Sequence, residues 1–124
     1  MDSASLQLSS EEPSAIIENG GGQLPVILIC EHAGKQFPGK LGALGLNPVE
    51  ASSHIAWDIG AASVARLLAQ RLDAPLILQR YSRLAYDCNR PREAASVLPT
   101  VSASIPIPGN TDLTIAPILK ANMK

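Results

Sequence analysis

Between Pro25 and Glu31 the chain reads Val26-Ile-Leu-Ile-Cys30, an unbroken apolar run rich in β-branched residues. Such a run suits a strand covered on both faces, so a buried strand is expected over Pro25–Glu31. Leu76 to Gln79 is a second run of the same kind. Between them Ala61, Val64, Ala65, Leu68 and Leu72 recur at helical spacing, with Ser63, Arg66, Gln70 and Asp73 on the opposite side. That pattern predicts a helix from about Asp58 to Leu72, stopped by Ala74-Pro75. Strand, helix, strand makes a βαβ unit, whose strands run parallel with a right-handed crossover. The fold class is therefore α/β. Whatever follows the first strand sits at a strand's C-terminal tip, where such folds hold ligands.

The remaining segments read as connections and short elements. Residues 1–23 are rich in Ser and Glu and close on Asn19-Gly-Gly-Gly22, the composition of a flexible N-terminal arm or a loose edge element. Residues 24–124 form the α/β part. Gly34, Pro38, Gly39, Gly42 and Gly45 mark a long loop. Asn47-Pro48-Val49-Glu50 is a helix start: Asn47 caps, Pro48 takes the first helical position and Glu50 closes a capping box. That helix should end before Trp57. Leu84 to Cys88 is a third candidate strand. Ile105-Pro-Ile-Pro-Gly-Asn110 should run extended and then turn. Thr111 or Asp112 would cap a last helix, which Pro117 would interrupt. No internal repeat is present.

With 124 residues the chain has room for one modest domain. Hydrophobic residues at 46% against 17% charged are enough for a core, but aromatics are only 3%, so that core must rest on Leu, Ile, Val and Ala. A net charge of −1 gives no footing for nucleic acid or an anionic membrane. No apolar run approaches the ~20 residues of a membrane span, and no basic segment followed by an apolar one opens the chain. Cys30 and Cys88 form no C-x-x-C pair; they read as reduced, buried thiols flanking a strand-end site in a cytoplasmic setting.

Three constellations carry chemistry. His32 follows the first strand directly and precedes Ala33-Gly34, where the glycine permits close approach of other groups. A neutral imidazole is the commonest metal ligand; the structural alternative is a histidine bonded to a loop carbonyl. Glu31 adjoins it, but neighbours on a strand point to opposite faces. His54-Ile-Ala-Trp-Asp58 would put His54 and Asp58 on one face if helical. Asp58 is then a metal ligand or a helix cap, and Trp57 a packing anchor. The densest cluster is Tyr81-Ser-Arg-Leu-Ala-Tyr-Asp-Cys-Asn-Arg-Pro91. Arg83 and Arg90 beside Asn89 make a fork suited to a carboxylate, the alternative being an ion pair of Asp87 with either arginine.

Cys30-Glu-His-Ala-Gly34, His54-Ile-Ala-Trp-Asp-Ile-Gly60, Tyr81-Ser-Arg83, Asp87-Cys-Asn-Arg-Pro91 and Ile107-Pro-Gly-Asn110 occur in this order. Together they resemble the N-formylglutamate amidohydrolase family over about residues 25–113. The resemblance implies a phosphorylase/hydrolase-like fold akin to the zinc carboxypeptidases, an α/β sandwich around a mixed, largely parallel sheet. It implies hydrolysis of the N-acyl (formyl) amide of a small acidic amino-acid derivative such as N-formylglutamate, with zinc as cofactor. His32 takes the position of the family's first histidine ligand. Asp87-Cys-Asn89-Arg90 is similar to the Asp-x-Asn-Arg segment with which zinc carboxypeptidases hold a substrate carboxylate. The expected assignments are His32 and Asp58 for metal, Arg83, Asn89 and Arg90 for substrate, and Glu31 as the catalytic residue and second choice for metal.

Two departures from the family pattern bear on activity. Lys35 stands where zinc carboxypeptidases place a glutamate three residues after the first histidine. Family members are also about twice this length, with a further histidine in their second half, whereas no histidine follows His54. A catalytic zinc takes three protein ligands and a water, so the chain is expected to form an incomplete sandwich and to be inactive alone. The rival expectation is a non-catalytic fragment or small-anion binding module. A nucleotide-binding domain is disfavoured: Asn19-Gly-Gly-Gly22 precedes the strand, and neither G-x-G-x-x-G nor a Walker run is present.

Overall fold

A computed structural model describes residues 12–111 of the chain. Its centre is a three-stranded sheet of β1 (Ala15–Glu18), β2 (Leu28–Cys30) and β3 (Leu76–Gln79), in the order β1-β3-β2. β2 and β3 are parallel, with Leu28 opposite Leu76, Ile29 opposite Ile77 and Cys30 opposite Leu78. α2 (Ala61–Leu72) connects them and packs on one face of the sheet. The βαβ unit is thus present. β1 pairs antiparallel with β3, so the sheet is mixed, with one pair of each kind rather than mostly parallel ones. It lies within the stretch expected to be an arm or a loose edge element, and takes the second form.

Three expectations need correction. The strand over Pro25–Glu31 shrinks to Leu28–Cys30 and is an edge strand; it is not covered on both faces, since Val26 is 52% and Ile29 64% exposed. The helix begins at Ala61 because Gly60, in the left-handed region with φ 85°, sets its N-terminal boundary. Only part of its stripe is covered: Ala61, Ala65 and Ala69 meet the sheet, whereas Val64 and Leu68 are exposed. Leu84 to Cys88 is not a strand. Its backbone groups are taken up locally, with Ala85 N–H donating to Ser82 O at 3.0 Å and Asp87 N–H to Val97 O at 2.9 Å. The local partners compete with a sheet ladder and win.

The expected capping box at α1 (Pro48–Ala51) forms in both directions: Asn47 Oδ1 accepts from Glu50 N–H at 2.8 Å, and Glu50 Oε1 from Asn47 N–H at 3.2 Å. Beyond β3 the chain makes a two-residue hairpin ladder, β4 (Val101–Ser102) with β5 (Ile105–Pro106), and then α3 (Pro108–Thr111). The turn expected at Gly109-Asn110 is therefore a helical one, and Thr111 lies within it. Asp112, Pro117 and the last helix expected there lie outside the described residues.

Two apolar clusters result. One joins α2 to the sheet through Cys30, Ala33, Ala69, Leu76 and Leu78. The other is built almost wholly from loops, around Leu44, Leu46, Ile55, Ala56, Leu84 and Ile107. Asn110 ties the loops together, its Nδ2 donating to Leu84 O and Pro99 O at 2.8 Å each. Among the described residues no helix is long and apolar enough to cross a membrane.

Candidate functional site

His32 stands two residues beyond Cys30, at the tip of β2, and is held in place through its neighbours. Gly34 runs so close to β3 that a Cβ there would fall 1.8 Å from Arg80 O, so only glycine lets the loop after β2 continue beside the chain after β3. Gln36 and Tyr81 then form an isolated parallel bridge. His32 O accepts from Asp58 N–H at 2.9 Å, which brings the segment before α2 onto the same tip.

The imidazole lies between two carboxylates. Nε2 meets Asp87 Oδ1 at 2.7 Å, and Nδ1 meets Asp58 Oδ2 at 3.2 Å. The two aspartates differ in setting: the Asp87 side chain is 4% exposed and that of Asp58 51%. Asp87 also accepts from Asn89 N–H at 3.0 Å and faces Arg83 Nη2 at 3.7 Å and Arg90 Nε at 3.8 Å. A buried carboxylate with this many donors is compensated. Arg83 Nη1 also donates to Asp58 Oδ1 at 3.2 Å, so one guanidinium bridges both aspartates.

These distances separate the roles of the two ring nitrogens. A neutral imidazole carries one proton; with that proton on Nε2, toward buried Asp87, Nδ1 offers its lone pair on the Asp58 side. Two donors at about 2.1 Å from a tetrahedral zinc lie about 3.4 Å apart. Both contacts lie within hydrogen-bond distance, and the 3.2 Å between Nδ1 and Asp58 Oδ2 is also a spacing that two ligands of one zinc ion can have. Yet among the described residues no group of three or more His, Cys, Asp or Glu is placed to hold a metal. Among the described residues the cluster offers two donors of the three that a catalytic zinc takes.

The other candidates fall as follows. Asp58 does not cap α2, whose N-cap is Gly60 without a side-chain bond; its carboxylate goes to His32 and Arg83 instead. Arg83 and Arg90 flank Asp87, so the ion-pair alternative is realised in this arrangement. The Asn89 and Arg90 side chains are exposed beside it. Glu31 O accepts from Cys88 Sγ at 3.7 Å, and its carboxylate joins no bond to the His32 cluster among the described residues. His54 is exposed in a turn, away from helical i,i+4 geometry with Asp58. Trp57 packs on the loop-built cluster, with Nε1 donating to Ser52 O at 3.0 Å and Lys35 over its ring at 4.9 Å. A 680 Å³ cleft lined in part by Gly34, Lys35, Trp57, Arg66 and Arg80 includes none of the expected site residues.

Both thiols are free, but only Cys30 is buried; Cys88 is exposed, contrary to expectation. Burial pushes the Cys30 thiol up, with the carboxylates of Asp58 and Glu31 adding to the effect. Sequence reasoning treated Asp87 as an ion-pair partner and missed its bond to His32. The signal available was its place two residues before Asn89, within the Asp-x-Asn-Arg run.

The family model for N-formylglutamate amidohydrolase matches residues 24–124. The chain belongs to the N-formylglutamate amidohydrolase family. It is also similar to the crystal structure of a gene product from Agrobacterium tumefaciens, with 44% identity and a TM-score of 0.87. That match covers 96% of this chain and 47% of the Agrobacterium one, so the chain spans about half the length of that relative. No curated protein matches it. Membership makes the chain an amidohydrolase-type sequence on a mixed α/β fold.

Proposed function

We propose that the His32 cluster is the part of a zinc-dependent amidohydrolase site contributed by this chain, acting on N-formylglutamate or a similar N-acyl acidic amino acid. The full domain in this reading is a zinc carboxypeptidase-like sandwich in the cytoplasm. The observation that carries it is the asymmetric bracket around His32: a buried carboxylate fixes Nε2, and an exposed one faces Nδ1 at a spacing suited to joint ligation. His32 Nδ1 and Asp58 would hold the ion. When bound, zinc polarises an amide carbonyl and activates water.

The chain's own residues position and neutralise. Asp87 fixes the imidazole tautomer, as carboxylates behind metal-bound histidines do. Arg83 offsets the charge of both aspartates and stands with Asn89 and Arg90 on the exposed side, where their donors suit a substrate carboxylate. Glu31, at the same strand tip, is the carboxylate assigned to proton transfer. With two protein donors to the metal among the described residues, the chain alone is inactive in this reading, because an activating zinc site takes three.

Calorimetric titration with zinc tests the binding half. One-to-one binding lost in His32→Ala and weakened in Asp58→Ala is expected; binding indifferent to both variants rejects the assignment and favours the small-anion module. Formate release tests the other half. Pure chain with zinc should release none from N-formylglutamate, and steady turnover would overturn the claim of inactivity.

A further inference from the structure

Ser82 is 0% exposed, and each of its polar groups is bonded. Its N–H donates to Gln36 O at 2.7 Å, and its carbonyl accepts from Ala85 N–H at 3.0 Å. Its hydroxyl donates to Ala56 O at 2.7 Å and accepts from Leu84 N–H at 3.1 Å. These bonds join the three segments that carry the site. Gln36 lies shortly after His32, Ala56 shortly before Asp58, and Ser82 itself immediately before Arg83 and on the way to Asp87. The main-chain bonds survive any side chain at this position. The hydroxyl bonds need an oxygen that both donates and accepts, on a side chain small enough to be enclosed. What the serine side chain itself fixes is therefore the Asp58 segment against the segment of Arg83 and Asp87.

Asp58 depends on such a pin more than Asp87 does. The Asp87 side chain is 4% exposed, and its N–H is held by Val97 O at 2.9 Å. The Asp58 side chain is 51% exposed, and its contacts to His32 and Arg83, both at 3.2 Å, stand in water, where an ion pair holds little. Asp58 N–H ties it to His32 O. Toward the third segment the main chain offers Arg83 N–H to Ala56 O at 3.3 Å, a long bond, and the short one comes from Ser82 Oγ. We infer that Ser82 is a positioning residue, whose hydroxyl holds the Asp58 carboxylate at His32 Nδ1 through the main chain at Ala56. The inference deepens the reading of the His32 cluster as the site and rests on it. Without the hydroxyl, Ala56 O is left with the long bond and Leu84 N–H loses its acceptor in a buried place. Asp58 then drifts from Nδ1, while Asp87 stays on Nε2.

Nitrogen NMR of the imidazole rings in the metal-free 124-residue chain, at one pH, tests it. The chain has two histidines, and His54→Gln assigns their signals. Ser82→Ala should displace the His32 signals as Asp58→Ala does and not as Asp87→Ala does. In the double variant it should add nothing to Asp58→Ala, because a group acting through another has no effect once that other is gone. Zinc affinity by calorimetry should fall about tenfold or more, the loss usual for a group one step behind a metal ligand, again with no further loss in the Asp58→Ala background. Ser82→Cys, close in volume but a weak donor, should behave as Ser82→Ala does and serves if the alanine variant does not fold. Leu76→Val, which loosens the core at the far end of β3, should leave the ring signals in place. His32 signals unmoved in the Ser82 variants, a displacement additive with that of Asp58→Ala, or an equal displacement in Leu76→Val overturns the inference. A wild-type chain that binds no zinc rejects the metal assignment instead, and the ring signals still decide the role of Ser82.

Discussion

The sheet unit and the loop-built cluster bury apolar side chains to different extents, and the regular half is the more exposed one. Leu44, Leu84 and Ile107 are almost fully enclosed although they lie in turns and irregular segments. Ile17, Ile29, Val64 and Leu68 are exposed although they lie in strands and a helix. A loop folds back on itself and finds its cover nearby in the chain. A strand or an amphipathic helix needs a partner element on each apolar side, and a single βαβ unit with one extra strand supplies only one layer. Regular structure here is therefore the part with unmet packing.

The largest expected consequence lies in the enclosed cluster. Ile107→Ala should cost about 2–5 kcal/mol in urea unfolding, as buried truncations do, while Ile29→Ala on the sheet should stay within about 0.5 kcal/mol. Equal costs at the two positions would erase the contrast. Next come the two points where the regions are stitched together. Gly34→Ala should destabilise by about 1–3 kcal/mol, because a Cβ cannot sit 1.8 Å from Arg80 O without moving the backbone. Asn110→Ala removes the donor to Leu84 O and Pro99 O and should cost about 1–3 kcal/mol. A neutral result at either site would mean that the loops hold themselves without that contact.

The smallest effect is a dependence on pH. Cys30 is buried under α2, and its thiol keeps its proton to higher pH in the folded chain than in the unfolded one. Its contribution is fully present below the ordinary thiol value of 9.0 and is lost as the pH rises through the higher folded value. Stability should thus decline at alkaline pH by an amount that Cys30→Ala removes. Alkylation of Cys30 in the native chain should be slower than in urea at the same pH. A Cys30 alkylated equally fast in both states would show that the sheet-side cluster is open to solvent.

The site was legible to the extent that residue type and local spacing decide it. His32 and Asp58 could be named as candidate metal ligands, and the fold brings them to 3.2 Å of each other. The capping box at Asn47 and the parallel βαβ unit were equally local, because each is set by residues within one element or its crossover. Asp87 behind His32 was harder to see: the two are 55 positions apart, and only the return of the irregular segment after β3 to the tip of β2 brings the carboxylate to Nε2.

By itself the sequence determined the parallel βαβ unit, where α1 is capped, that a histidine follows β2 closely, and the family to which these motifs belong. Tertiary structure alone decided which apolar faces are covered, that Leu84 to Cys88 bends where a strand was expected, and which nitrogen of His32 faces which aspartate. Side-chain periodicity and capping are short-range properties of the chain. Burial and charge pairing depend on what arrives from far along it, and beside β2 nothing among the described residues arrives.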